Sequence, residues 1–300
     1  MQELITTNQN LEELSRKVFD FLDIAESTRK DYQYFIGRFI EFIDKNGFNV
    51  NSLLEYKRSL SARNDITVSS KNKYFYTAKV FLKELNRQRI LPVDVTQNIK
   101  GFKQGKKHKK DGLDDDEVNM LTEKLRELPQ SPKNSRLKAI ISLLLYQGLR
   151  QIEIIRLNVS DVDLGRQIAH IKGKGEDDLE PVDLHPQTVK NLKEYLRLNK
   201  IKSGALFFST SNNRKNQRLS TRSIRNLVKG VLNHLNIDKS THGFRHTFTT
   251  KLIKSFEGHL LDVMKFTRHR CVDTLQVYND RISTQENLPK FYETFAGLDI

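Results

Sequence analysis

Residues 101–112, Gly-Phe-Lys-Gln-Gly-Lys-Lys-His-Lys-Lys-Asp-Gly, cut the chain in two. Five lysines and three glycines without an apolar period cannot form a buried face, so this stretch reads as a basic linker between separately folding parts. The chain has 300 residues, enough for two ordinary domains with a core each. The linker sets the boundaries: a helical domain over 1–100, the linker over 101–112 and a second domain over 113–300.

In the first part, Tyr32, Phe35, Ile36, Phe39, Ile40 and Ile43 recur at helical spacing, with Ser27 and Thr28 as candidate caps and Gly47 as the stop. A second helix opens near Ser69 and Ser70, carries Tyr76, Val80, Phe81 and Leu85, and ends before Pro92. Its other face presents Lys71, Lys73, Lys79 and Lys83. Such a stripe is either a solvated helix face or, with Tyr74 and Tyr76 interleaved, a phosphate-contacting one.

In the second part, Asp114 to Glu117 place acids where a helix dipole favours them. Lys138 to Gln147 is an almost wholly apolar run that predicts a buried helix stopped at Gly148. Gln167 to Lys172 and Leu179 to Leu184 read as a hairpin around Gly173-Lys174-Gly175. Helices return at 186–198, 221–235, 244–253 and 283–296. The expected fold class is mainly α with a small antiparallel β-sheet, an α+β second domain following a helical first one.

A net charge of +14 favours a polyanionic partner over a merely soluble basic protein. Residues 1–112 hold 21 basic and 14 acidic residues, and residues 113–300 hold 30 and 23, so the excess is shared equally and both parts can face the polyanion. The longest apolar run, Ala139 to Tyr146, is far short of the ~20 residues that span a bilayer. Met1-Gln-Glu-Leu lacks the layout of a signal peptide, which implies a cytoplasmic location, here a nucleoid-associated one, with no membrane contact. One cysteine, Cys271, excludes an internal disulfide framework.

Metal is the first chemistry to weigh. His242 and His246 stand i, i+4, as zinc ligands on a helix do. Arg245 sits between them and no helix-borne glutamate accompanies them, so no metal or cofactor is expected. A different set stands out in chain order. It consists of Arg150 and Glu153 after the Gly148 stop, Lys174 on the hairpin turn, His242-Gly-Phe-Arg245, and His269 nine residues before Tyr278. Each has a plain structural explanation when taken alone.

Together these residues resemble the catalytic set of the tyrosine recombinases, the phage integrases. The match rests on Arg150-x-x-Glu153, Thr241-His242-Gly-Phe-Arg245-His246-Thr-Phe, and Thr267-Arg-His269-Arg-Cys-Val-Asp-Thr274-Leu-Gln-Val-Tyr278. Two positions depart from the family habit. Arg268 stands where glycine is common, either placing another cation near the phosphate or altering a turn, and Gln147 replaces a usual threonine. The 26 residues before the first strong helix are too few for an arm-binding domain, so the resemblance implies the simpler Xer-like layout.

The resemblance implies a two-domain C-shaped clamp around double-stranded DNA, with the first domain binding the core site. The reaction would be site-specific strand cleavage and rejoining through a 3′-phosphotyrosyl intermediate and a Holliday junction, without metal or ATP. Tyr278 would be the nucleophile. Arg150 and Arg245 would neutralise the phosphate, for which a planar guanidinium fork is suited. His242 and His269 would donate to the same oxygens or move a proton. Glu153 would orient Arg150, and Lys174, or Lys172 if the turn register differs, would protonate the leaving 5′-oxygen. Lys71, Lys73, Lys79, Lys106, Lys107, Lys109 and Lys110 are the candidate DNA-backbone contacts. The segment 283–296, with Leu288, Phe291, Tyr292 and Phe295 on one stripe, would dock either on its own core or on a neighbouring subunit. The second case would link a homo-tetramer on two DNA sites, or a hetero-tetramer with a paralogous recombinase. The rival readings are a type IB-like topoisomerase and a non-catalytic architectural DNA-binding protein.

Overall fold

Helical periodicity dominates both parts of the sequence, and the computed structural model answers it with twelve α-helices and one three-stranded sheet among the described residues. The structure describes residues 9–105, 111–173, 175–176, 178–210, 217–294 and 296. It separates into two units, Met1–Lys106 and Lys107–Ile300.

The first unit is built from α1 (Gln9–Asp20), α2 (Glu26–Asn46), α3 (Ser52–Ala62) and α4 (Val68–Arg87). Phe19, Phe39, Phe75 and Phe81 are wholly buried between them, each worth roughly 1.5–3 kcal/mol of transfer free energy. Gly47 ends α2 at φ 74, as the sequence predicts. The start differs, because Ser27 and Thr28 lie inside the first turn and Ala25 occupies the cap without a side-chain hydrogen bond. Thr67 caps α4, accepting from the Ser70 N–H.

The second unit opens with α5 (Asp115–Glu127), whose Asp114 and Glu117 form a reciprocal capping box. Helix α6 (Pro132–Tyr146) comes next, then α7 (Gln151–Arg156) and the strands β1 (Val162–Asp163), β2 (Ile168–Lys172) and β3 (Leu179–Asp183). The sheet is antiparallel in the order β1-β2-β3, with Ala169 opposite Val182 and Lys172 opposite Leu179. Helices α8 (Pro186–Leu198), α9 (Thr221–His234), α10 (Thr241–Ser255), α11 (Leu260–Thr267) and α12 (Val272–Thr294) complete it. Ala139 to Leu145 are all buried, so α6 is the central helix of this core. Gln147 is buried at its end and accepts from the Thr188 hydroxyl at 2.9 Å.

The segment from Ser283 is not a separate helix. It continues α12, which begins at Val272 and passes through Pro289. Leu275, Tyr278 and Ile282 form the buried face of this helix and pack with Ile253, Leu260 and Val263 in a small core of their own.

Two glycines fix close approaches within this unit. Gly112 lies so close to α10 that a Cβ would stand 2.6 Å from the Thr247 nitrogen. The Leu113 carbonyl accepts from the Thr247 hydroxyl there, and Asp111 pairs with Arg281 of α12. Gly148 stops α6 at φ 57, and a Cβ would stand 2.4 Å from Cδ1 of Phe248. Gly148→Ala combines left-handed backbone with overpacking and is expected to cost the second unit about 1–3 kcal/mol. Urea unfolding measures this, and an unchanged midpoint would show that the turn relaxes freely.

Candidate active site

The α6 stop turns the chain so that Arg150 becomes the N-cap of α7. Glu153, in the first turn, reaches back and accepts from the Arg150 backbone N–H at 2.7 Å and from its Nη1 at 2.8 Å. The Glu153 side chain is only 1% exposed, so these bonds are what permit an ionised carboxylate there. Burial pushes its pKa up, but the Arg268 charge and the bonds from Arg150 outweigh that and hold it below the ordinary carboxylate value.

Helix α10 supplies His242, Arg245 and His246. Arg245 is 3% exposed and gives Nη1 to the Gly148 carbonyl at 2.8 Å and Nη2 to the Thr267 carbonyl at 2.5 Å. Burial, with Arg150 and Arg268 nearby, brings its pKa down to about 10, which still leaves it cationic at neutral pH. Thr241 at the start of this helix accepts from the Gln151 side chain, tying α10 to α7.

Helix α11 ends at Thr267, and Arg268 takes the left-handed conformation at φ 54, ψ 43. His269 comes next in the chain, and Tyr278 stands in the buried stripe of α12. The Tyr278 hydroxyl is 2.5 Å from Nδ1 of His246, and the His269 ring lies 6.5 Å from the Tyr278 ring. Burial pushes the Tyr278 phenol up to about 12, against the pull of Arg245.

Arg150, Glu153, His242, Arg245, Arg268, His269 and Tyr278 line one cavity of about 910 Å³. The structure therefore brings together six of the seven residues that the sequence singled out, Arg268 being the addition. Lys174, the seventh, lies outside the described residues, although its neighbours Gly173 and Glu176 line the same cavity. Lys172 lines a different cavity with His170 and Arg156. Glu176 pairs with Arg270, which joins the hairpin turn to the loop bearing His269. No group of three or more metal-ligating side chains is assembled among the described residues.

His246 has no assigned role in the sequence reading, whereas Arg268, read there as either another cation near the phosphate or an altered turn, takes a left-handed turn and lines the cavity. His246 drew attention only through its spacing from His242, and nothing local announces a partner 32 residues away. The lysine stripe sits on α4 of the first unit. There Lys71 donates to the Ser61 carbonyl at 2.9 Å, Lys79 donates to the Ile99 carbonyl at 2.6 Å, and Lys73 lies 5.6 Å above the Phe35 ring. Lys106, Lys107, Lys109 and Lys110 lie outside the described residues. No helix among the described residues is long and apolar enough to cross a membrane.

Residues 112–284 match the phage integrase family. The chain belongs to that family. It is a site-specific recombinase of the tyrosine type. A tyrosine recombinase XerC of Proteus mirabilis is 27% identical over 284 residues, covering 89% of this integrase-family chain and 90% of that protein. A tyrosine recombinase of Synechococcus elongatus is 32% identical over 176 residues, 55% of each chain. Among solved structures, the XerH recombinase in a post-cleavage complex with palindromic difH DNA aligns with a TM-score of 0.74 at 19% identity, over 95% of this chain and 86% of that one. A lambda integrase dimer bound to a COC′ core site gives 0.66 at 12% identity, over 91% and 95%. Both likenesses establish the fold.

The buried phenol yields a direct test. At a pH of ~10, where half of ordinary phenols are ionised, the ultraviolet difference between wild type and Tyr278→Phe should contain no phenolate. A phenolate signal there would mean that the nearby cations outweigh burial.

Proposed function

We propose that the chain exchanges DNA strands by phosphotyrosyl transfer without metal or ATP. The observation that carries this reading is a single cavity lined by the Tyr278 hydroxyl and four arginines, Arg150, Arg245, Arg268 and Arg270, with a histidine nitrogen 2.5 Å from the tyrosine oxygen.

The Tyr278 oxygen attacks the scissile phosphorus as its proton passes to Nδ1 of His246. The new P–O bond replaces the bond to the 5′-oxygen, which leaves as a hydroxyl after taking a proton, the role we assign to Lys174. Arg150 and Arg245 carry the charge of the nonbridging oxygens through the transition state, and both are held in place before DNA arrives. His242 and His269 are assigned further donors to those oxygens. Because one phosphodiester replaces another, the reaction needs no external energy source. Attack by a 5′-hydroxyl of a second duplex reverses the step and joins new strands, producing a Holliday junction.

Duplex DNA is the substrate in this reading. The first unit and the basic segment 101–112 would form the other half of a clamp, with Lys71, Lys73, Lys79, Lys106, Lys107, Lys109 and Lys110 adding phosphate attraction. The far end of α12 leaves Leu288 at 40%, Phe291 at 57% and Tyr292 at 62% exposure, which supports donation to a neighbouring subunit rather than docking on its own core. A tetramer on two DNA sites, of one chain or of two paralogues, follows from such donation. The work would then be done at the cytoplasmic nucleoid.

Covalent trapping tests the reading. Cells expressing the protein alongside its native DNA are lysed in SDS with EDTA, and the ends of protein-linked DNA are sequenced. Tyr278-dependent ends clustered at a near-palindromic site are expected. Scattered ends would indicate a topoisomerase, and no linked DNA would remove the enzymatic reading. Tyr278→Phe should abolish attachment while DNA affinity stays nearly the same. Arg150→Ala or Arg245→Ala should slow cleavage by ~10²–10³, the cost of one lost transition-state donor. An absolute metal requirement would refute the mechanism.

A further inference from the structure

Position 268 asks for glycine. The chain turns there at φ 54, ψ 43, closing α11 with an N–H bond from Arg268 to the Met264 carbonyl at 2.9 Å. A residue with a Cβ is disfavoured in this conformation, and glycine is not. What distinguishes Arg268 from the other non-glycine residues at positive φ, such as Arg89 and Lys200, is where its side chain goes.

That side chain turns inward and is only 6% exposed. Its Nη2 donates to Glu153 Oε2 at 3.1 Å, the same oxygen that accepts from the Arg150 backbone N–H at 2.7 Å. The other oxygen of Glu153 accepts from Arg150 Nη1 at 2.8 Å. One buried carboxylate is thus clasped by two arginines that reach it from different elements, Arg150 from the start of α7 and Arg268 from the end of α11. Nε and Nη1 of Arg268 are buried without a hydrogen-bond partner among the described residues, which a surface-directed arginine would not tolerate.

The charge count gives the second half of the argument. Glu153 by itself cancels the charge of one of the two arginines assigned to the phosphate. Within the cluster around Glu153, Arg150, Arg245 and Arg268 oppose one carboxylate, while the rest of the lining adds Arg270, paired with Glu176, Lys265, and the carboxylates of Asp178 and Glu180.

We propose that Arg268 is a positioning residue of the strand-cleavage site, locking Glu153 against Arg150 and offsetting the carboxylate's charge beside that arginine. This role rests on the phosphotyrosyl-transfer reading. In this chain the glycine turn preceding His269 has become a third guanidinium, working on the phosphate through Glu153 and Arg150 rather than by touching it.

The test uses the full-length protein and a duplex carrying the cleavage site recovered by covalent trapping, nicked so that cleavage is irreversible. Arg268→Gly suits the backbone, and thermal unfolding verifies that it is folded. Its covalent attachment should be slowed about 10–100-fold, as for other groups that act by holding a ligand, with little change in DNA affinity. Arg268→Lys, which has the same backbone handicap but restores the charge, should recover part of the rate. In a Glu153→Gln background, adding Arg268→Gly should cost no more than about twofold, since the two act through one contact. An R268G protein that cleaves at the wild-type rate would overturn the proposal. So would a full, multiplicative loss in the Glu153→Gln background, because it would place Arg268 on a separate path. Failure of wild type to form any Tyr278 adduct would instead strike the underlying reading, and this role with it.

Discussion

A guanidinium as deeply buried as that of Arg245 is tolerable only if it finds oxygen acceptors inside the protein, and here two helix ends provide them. The carbonyls of Gly148, just past α6, and Thr267, at the end of α11, are backbone acceptors left over where helical hydrogen bonding stops. Both sit at negative helix poles, so dipole and hydrogen bond act in the same direction. The requirement propagates outward. α6 must end at that place, which demands the glycine that Phe248 packs against, and α11 must end beside it, which puts position 268 into a left-handed turn. The turn after the first stop delivers Arg150, and the turn after the second delivers His269. The cation at the centre of the cavity and the loops that carry its neighbours are consequently parts of one arrangement.

The tyrosine proposed as nucleophile is governed by a different balance. Tyr278 lies on a helix whose apolar residues form a small core with α10 and α11, and burial there opposes ionisation. The neutral phenol stands within hydrogen-bond distance of a histidine nitrogen, the group proposed to take its proton. Arg245 pulls in the opposite direction, so the buried cation proposed to hold the phosphate also eases formation of the phenolate.

Much of this was legible from the sequence where the signal is local. The apolar run of α6 and its glycine stop, the hairpin between Gly173 and Gly175, and the acids that open α5 each carry their reason within a few residues. The spacing of His242 and Arg245, which share α10, was equally readable, and that of His269, in the loop after α11, and Tyr278, on α12, was read through the family resemblance. Other elements gave weaker signals. Helix α7 has six residues and is held by Glu153 capping Arg150, a contact between two charged side chains that reads as a surface pair in sequence. Helix α12 was expected only from Ser283, since Asn279, Asp280 and Arg281 dilute its apolar face, but Leu275, Tyr278 and Ile282 bury it from Val272 onward. Ser27 and Thr28 have the right chemistry for caps and stand two to three residues too late. The bonds that assemble the site, from Arg245 to Gly148, from Arg268 to Glu153 and from Tyr278 to His246, join residues with no periodic relation. Only the packing of α6, α10, α11 and α12 brings them together.

The start of the second unit has a mechanical meaning. Gly112 is pressed against Thr247 of α10, Leu113 accepts a bond from the same residue, and Asp111 is paired with Arg281 on α12. The incoming chain is thus riveted first to the helix that carries the buried arginine and to the helix that carries the tyrosine, and only afterwards enters α5. Displacing residues 111–113 would therefore load those two helices before the bulk of the second unit's core.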